Sequence, residues 1–159
     1  MTSLLVALSL SCTIQVIRQS TPEFEGPEGM RLLQKDLPSG GRQVELVDAN
    51  GKTVWKNRKL PRLEAVRFSA DGRTIAFTDS SLEVTMVDAK GRPRTVKFWK
   101  ALSDLEREAI PRTNCGYRWL EKYEFDASGR LLVSILQRDS VPVLVFVDPA
   151  NGTVSREKV

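Results

Sequence analysis

Residues Arg67-Phe68-Ser69-Ala70-Asp71-Gly72-Arg73-Thr74-Ile75-Ala76-Phe77, followed by Val84-Thr85-Met86-Val87-Asp88-Ala89-Lys90-Gly91-Arg92, set out a pattern that the chain then repeats. The second copy runs Glu124-Phe125-Asp126-Ala127-Ser128-Gly129-Arg130-Leu131-Leu132-Val133, followed by Val143-Leu144-Val145-Phe146-Val147-Asp148-Pro149-Ala150-Asn151-Gly152. Each copy reads strand, glycine turn, strand, loop, strand, Asp turn. Glycine supplies the positive φ of a tight hairpin, and an Asx side chain bonds the backbone just ahead of it. The repeated element is therefore an antiparallel β-sheet unit.

Working outward, short apolar–polar alternations bounded by Gly, Pro, Asp and Asn predict twelve strands in three groups of four. The first group is Thr13–Arg18, Arg31–Lys35, Gln43–Val47 and Thr53–Lys56. The second is Leu63–Phe68, Thr74–Thr78, Glu83–Val87 and Thr95–Phe98, and the third is Arg118–Phe125, Leu131–Leu136, Val143–Val147 and Thr153–Arg156. Gly29, Gly72 and Gly129 mark the first hairpin of each group, and the turns at Asp48, Asp88 and Asp148 mark the last. Forty residues separate Asp48 from Asp88, a usual length for one four-stranded blade, and sixty separate Asp88 from Asp148. The surplus lies in an insert over 99–116. There Ser103-Asp104-Leu105-Glu106 is a capping box, Pro111 is a stop, and Leu102, Leu105 and Ala109 are expected on one face of a short helix. The expected fold is all-β: three four-stranded antiparallel blade-like units, about 12–58, 59–100 and 117–159, with one short helical insert, in a single domain.

Phe68-Ser69-Ala70-Asp71-Gly72-Arg73-Thr74-Ile75-Ala76-Phe77, with Val87-Asp88-Ala89-Lys90-Gly91 after it, resembles the WD40-like β-propeller repeat of TolB-type proteins and of prolyl-oligopeptidase-type peptidases. Ala70 stands where that repeat commonly has proline. Asp126-Ala127-Ser128-Gly129 departs further, and the first group keeps only Gly29 and the Asp48 turn. The resemblance implies propeller blades and brings no catalytic residue with it. A closed propeller needs at least four blades, so three leave open sheet edges that invite pairing: the chain is a fragment or truncated member of a larger propeller, or it associates so that the edges are covered, or its three groups stack as an open, twisted assembly.

Composition narrows the chemistry. The 159 residues carry 24 Lys and Arg, 20 Asp and Glu, a net charge of +4 and no histidine. That excludes a Ser-His-Asp or Cys-His site within the chain. The two cysteines, Cys12 and Cys115, do not form the usual zinc site without histidine, and they are too few for a disulfide framework, although a single bridge between them is open. The apolar run Leu4–Leu10 is either part of a signal peptide over 1–11, with Cys12 as a lipid-modified first residue, or a first β-strand. The protein is extracytoplasmic in the first case and cytoplasmic in the second. The run ends by Arg18 and is too polar and short for a membrane-spanning helix.

Among the candidate sites, Asp48-x-Asn50-Gly51 and Asp148 with Asn151-Gly152 resemble the start of a calcium loop. They lack the six to eight oxygens such a site needs and read as hairpin turns. Two basic runs, Lys52, Lys56, Arg58, Lys59 with Arg62, and Lys90, Arg92, Arg94 with Lys97 and Lys100, are expected on outer strands. There they either guard sheet edges or serve as a polyanion-binding stripe. No nucleic-acid-reading motif accompanies them, which argues against nucleic acid. Trp55 and Trp119 are expected between sheets and Trp99 beside the insert. No metal, cofactor or catalytic residue is expected. The expected role is a non-catalytic, propeller-like scaffold that binds a protein partner through its loops and the 99–118 insert, with Trp99, Leu102, Leu105, Arg107 and Tyr117 as the anchor cluster. The rival readings are an accessory propeller segment of an exported hydrolase and a polyanion-binding module.

Overall fold

A computed structural model of the chain describes residues 23–61, 63–78, 82–113, 116–138 and 141–156. The expectations for residues 1–11, for a strand at Thr13–Arg18, and for Cys12, Arg62 and Cys115 lie outside the described residues.

Three four-stranded antiparallel sheets form in chain order, each with its strands in sequential order. The first holds β1 (Glu23–Glu25), β2 (Arg31–Asp36), β3 (Arg42–Val47) and β4 (Thr53–Asn57). The second holds β5 (Glu64–Phe68), β6 (Thr74–Thr78), β7 (Glu83–Asp88) and β8 (Pro93–Lys97). After the helix α1 (Asp104–Glu108) and a hairpin of β9 (Arg112–Thr113) and β10 (Gly116–Tyr117), the third sheet holds β11 (Leu120–Phe125), β12 (Leu131–Ile135), β13 (Val143–Val147) and β14 (Val154–Arg156). The three blade-like units are present as the repeat implies. The first strand of the first sheet is Glu23–Glu25, later than the stretch expected to supply it. It is only three residues long, with Phe24 packed inward and Pro27 opening a 3-10 turn behind it, so its alternation is too brief to stand out.

Two cores separate the sheets. Leu32, Val44, Leu46 and Trp55 of the first sheet meet Ile75, Phe77 and Val87 of the second. Ala76, Val84, Met86 and Val96 of the second meet Tyr123, Leu131, Val133, Ile135, Val143, Val145 and Val147 of the third. The central strands β6 and β7 are therefore buried on both faces, which is why apolar residues stand at consecutive positions there, Ile75-Ala76-Phe77 and Met86-Val87.

The repeats differ in one respect that controls which side chains face which core. The first hairpin of the second sheet closes from the Ser69 N–H to the Thr74 carbonyl, and that of the third closes from the Asp126 N–H to the Arg130 carbonyl, one residue sooner. Phe68 therefore pairs with Ile75 while Phe125 pairs with Leu131. Ile75 is thus the counterpart of Leu131, and Ala76 of Leu132. A simple alignment of the two copies is out of phase by one residue, which in a strand means the opposite face.

The outer strands lock onto the next unit at a fixed place. Trp55 on β4 lies across the last turn of the second sheet, and an added Cβ at Gly91 would sit 2.9 Å from its ring. Arg94 on β8 lies across the last turn of the third sheet, where a Cβ at Gly152 would sit 2.9 Å from its Cδ. Trp55 pairs with Leu46 and Arg94 with Met86, so the two contacts are equivalent. The Asn57 amide adds a hydrogen bond to the Gly91 carbonyl at 3.1 Å. These turn glycines thus serve two ends, positive φ and close passage of the preceding unit.

Gly91→Ala is expected to cost about 1–3 kcal/mol from the left-handed backbone alone, plus the clash with Trp55. Gly129, at φ +80 with open space around it, supplies the control: Gly129→Ala bears the backbone cost only. Urea denaturation of the two variants checks this. Equal losses would mean that Trp55 does not constrain the turn.

Candidate protein-binding surface

The chain leaves β8 at Lys97 and enters a 3-10 turn over Phe98–Ala101, then α1. The expected strand to Phe98 ends one residue earlier, because Phe98 turns down into the core between the second and third sheets. Phe98, Leu102, Ile110 and Trp119 are all buried there, and the Phe98 and Trp119 rings meet at 5.8 Å and 43°. The insert is thus pinned by four large side chains.

The predicted capping box is present. The Ser103 hydroxyl accepts the Glu106 N–H at 3.3 Å, and the Glu106 carboxylate accepts the Ser103 N–H at 2.7 Å. Glu106 also receives Arg156 from β14, whose Nη1 lies 3.2 Å from Oε2, so the helix is tied to the third sheet as well as to the core. Partial burial works against ionisation of Glu106, but the bonds from Arg156 and Ser103 outweigh it and hold its pKa below the usual range.

Two elements of the expected anchor cluster reach the surface together. Trp99 is 40% exposed, and the Arg107 guanidinium stands 5.8 Å from its ring centroid. Arg107 cannot wander: Nε and Nη2 donate to the Leu102 carbonyl at 3.1 and 2.9 Å, and Nη1 pairs with Asp104 at 3.0 Å. Leu105, 79% exposed, projects from the same short helix. Leu102 does not share its face, contrary to the expectation. It precedes the Ser103 cap, where the backbone is extended and helical spacing does not apply, and it is 3% exposed in the core. It supports the surface from beneath. Tyr117 lies on β10, paired with Arg112, and its side chain is outside the described residues. The β9–β10 hairpin itself was not expected; two-residue strands carry no periodic signal.

The basic residues fall on outer strands and last turns, as read from the sequence, and much of their charge is answered nearby. Lys56 pairs with Glu45 at 3.3 Å, Arg92 with Asp88 at 2.6 Å and Lys97 with Glu83 at 3.1 Å. Arg58 donates to Gln43 at 3.3 Å, and Arg94 spends its stem on the Gly152 turn. Lys52, Lys59, Lys90 and Lys100 are exposed at separate points of two sheets. Lys90, Arg92 and Arg94 of the second basic run, with Arg73, border an open cleft of about 1000 Å³ between the turn ends of the second and third sheets, where Asp71, Asp88, Asp126 and Asp148 also lie.

Those turn aspartates serve their own backbone. Asp48 accepts N–H groups from Asn50 and Lys52, Asp88 from Lys90 and Arg92, Asp126 from Ser128 and Arg130, and Asp148 from Ala150. The two loops reminiscent of calcium sites are hairpin turns of this kind. Asp126 is the extreme case, its pKa lowered to about 2, first by the Ser128 hydroxyl and then, against a small cost of burial, by Arg130 and the backbone. Asp71 is lowered by Ser69 and the Arg73 N–H.

No protein-family model matches the chain, and no curated protein does. Solved structures do match. The tricorn protease structure covers 83% of this chain with 12% of its own, at 13% identity and a TM-score of 0.54. The β-propeller domain of the Trilobed protease from Pyrococcus furiosus covers 86% of this chain with 40% of its own, at 14% identity and 0.49. TolB from Acinetobacter baumannii covers 86% with 32% of its own, at 17% identity and 0.45. The chain has a partial β-propeller-like fold and spans less than half the length of each of these structures.

Asp126 gives a pH test. Its folded-state pKa is depressed, so it stabilises the fold above about 3.9, its unfolded value, and this contribution is lost as pH falls toward the folded value. Ser128→Ala is expected to raise the Asp126 pKa toward the unfolded value and to flatten the loss of stability through that window. Carbon-detected NMR titration of the Asp126 carboxyl checks it; an unchanged midpoint would show that the hydroxyl is not the main cause.

Proposed function

We propose that this chain is a non-catalytic, propeller-like scaffold that binds another protein through the surface of the 99–118 insert. The observation that carries the reading is the pairing of exposure with rigidity at Trp99, Arg107 and Leu105. A large exposed aromatic, an arginine with its donors committed and a leucine at 79% exposure stand on an insert held by four buried side chains and the Arg156–Glu106 pair. Aromatic and Arg anchors on a preorganised support lose little conformational freedom on binding, and such residues dominate interface energies. Isolated exposed apolar residues are common and carry no such meaning; here Trp99 stands beside an arginine that is held in place. The non-catalytic part of the reading rests on the carboxylates. The turn aspartates bordering the large cleft are engaged with backbone N–H groups and their own Arg or Ser neighbours, so none is placed as an acid or base.

Affinity capture from the source cell extract tests the proposal. Wild-type protein is compared with the Trp99→Ala/Leu105→Ala variant, after circular dichroism has shown the variant folded. The expected result is a partner retained by the wild type and reduced at least tenfold with the variant, about 1.4 kcal/mol or more of binding energy. An identical set of retained proteins would overturn the reading. Retention by both forms that collapses between 50 and 200 mM salt would favour a polyanion instead.

A further inference from the structure

The three sheets can be compared position by position once their register is known. Each has one face turned toward the following sheet and one toward the preceding sheet. On the following side, Leu32 and Leu46 in the first sheet match Ala76 and Met86 in the second, and Leu132 and Phe146 in the third. Val44, Val84 and Leu144 match likewise. The first two members of each series lie in a core. The third member belongs to a face that no described residue of another sheet covers.

The preceding side behaves in the opposite way. Ile75 and Leu131 are fully buried, and their counterpart in the first sheet is Arg31. Val145 has Glu45 as its counterpart, and Phe68 and Phe125 have Glu25. Glu45 is held there by Thr53, Lys56 and Lys35, which keep its pKa low against the cost of burial. The preceding side of the first sheet therefore carries Arg31, Lys35 and Glu45 around Leu33 and Val47. The third sheet differs. On its following side Leu132 and Leu144 are half-buried; Phe146 is 7% exposed with the Arg130 guanidinium 4.3 Å from its ring centroid, and Ser134 is buried with its hydroxyl donating to Glu121 at 2.6 Å.

We propose that the open face of the third sheet is the contact surface of a two-fold dimer, third sheet against third sheet of a second copy. The charge pattern of the face is what selects a second copy. Lys122 and Glu124 sit two residues apart on β11, on the face that holds Leu132 and Ser134, paired to each other at 2.6 Å and about half exposed. A two-fold axis lying between the faces and crossing the strands brings β11 antiparallel to itself. Lys122 then stands opposite Glu124 of the partner subunit, and Glu124 opposite Lys122 of the partner subunit. The same operation sets Leu144 against Phe146 of the partner subunit and Leu132 against Ser134 of the partner subunit, a large residue against a small one. An isologous contact of this kind stops at two copies. Head-to-tail stacking, which would continue as a ring or a fibre, instead sets Leu132, Leu144 and Phe146 against a face where Arg31, Lys35 and Glu45 surround Leu33 and Val47, and desolvates those charges without new partners.

Sedimentation velocity of the full chain tests the proposal, with Leu144→Lys and Val54→Lys as variants. Leu144 is half-buried on the open face of the third sheet. Val54 is 50% exposed on the outer strand of the first sheet, opposite Val47 at the bulge, so a lysine at either place leaves the cores intact. The expected result is a wild-type dimer at about 10–100 μM (above the micromolar weak end of standard-size interfaces), a Leu144→Lys monomer with an unchanged circular dichroism spectrum, and a Val54→Lys dimer. A wild-type monomer throughout that range would overturn the proposal, because another segment or another protein then covers the face. So would a dimer that survives Leu144→Lys. A dimer broken by Val54→Lys, or species larger than two copies, would show that the first sheet takes part and that stacking is head-to-tail.

Discussion

Water is excluded from both sides of the two central strands of the second sheet, β6 and β7, and that single condition shapes the rest of the molecule. Ile75 and Phe77 face one core and Ala76 faces the other, so β6 has no solvent side and no room for alternation. A sheet of this kind cannot exist alone; each face needs a neighbour presenting apolar side chains in register. The first and third sheets supply those neighbours. The outer-strand contacts of Trp55 on Gly91 and Arg94 on Gly152 fix how far each sheet is displaced from the next. Because the same contact recurs at both interfaces, the stacking geometry is a property of the repeat and not of one pair of sheets.

The insert is best understood as a consequence of that packing. Between β8 and β11 the chain must cross from the outer edge of one sheet to the first strand of the next. Phe98 and Trp119 stand at the two ends of the crossing and touch each other, with Leu102 and Ile110 between them. The crossing is therefore part of the core on its underside. Its upper side has no packing duty, which is why Trp99, one residue from a fully buried Phe98, and Leu105, three residues from a buried Leu102, are exposed. Alternation of this sort within a short insert divides structural from available residues more sharply than any strand in the protein does.

Much of this could be read from the amino-acid sequence because the signals are local. An Asp two residues before its backbone partner, a glycine at the hairpin and a Ser-x-x-Glu box each fix a conformation within five residues, and all of them appear in the structure. What depends on register was harder. The one-residue difference between the Ser69 and Asp126 turns exchanges the faces of everything that follows, and no composition or spacing argument detects it. Leu105 was grouped with Leu102 because helical spacing was carried across the Ser103 cap, where it does not hold. The first strand, Glu23–Glu25, offers a single inward residue, Phe24, and its two glutamates look like a loop until the sheet is seen.

Register also decides which residues of the outermost sheets face outward. Residues 31–35 read Arg-Leu-Leu-Gln-Lys, with two apolar residues, and residues 131–135 read Leu-Leu-Val-Ser-Ile, with four. Their inward residues are Leu32 and Gln34 in the first and Leu131, Val133 and Ile135 in the second. With those assigned, the outward residues of the first strand are Arg31, Leu33 and Lys35, and those of the second are Leu132 and Ser134. A sheet that meets water tolerates the first set, since long basic side chains keep their charge solvated while covering apolar surface. The second set, continued by Leu144 and Phe146 on β13, gains nothing from water and offers only the borrowed cover of Arg130. The asymmetry lies in which alternate positions are polar, and it makes the two outward faces chemically different.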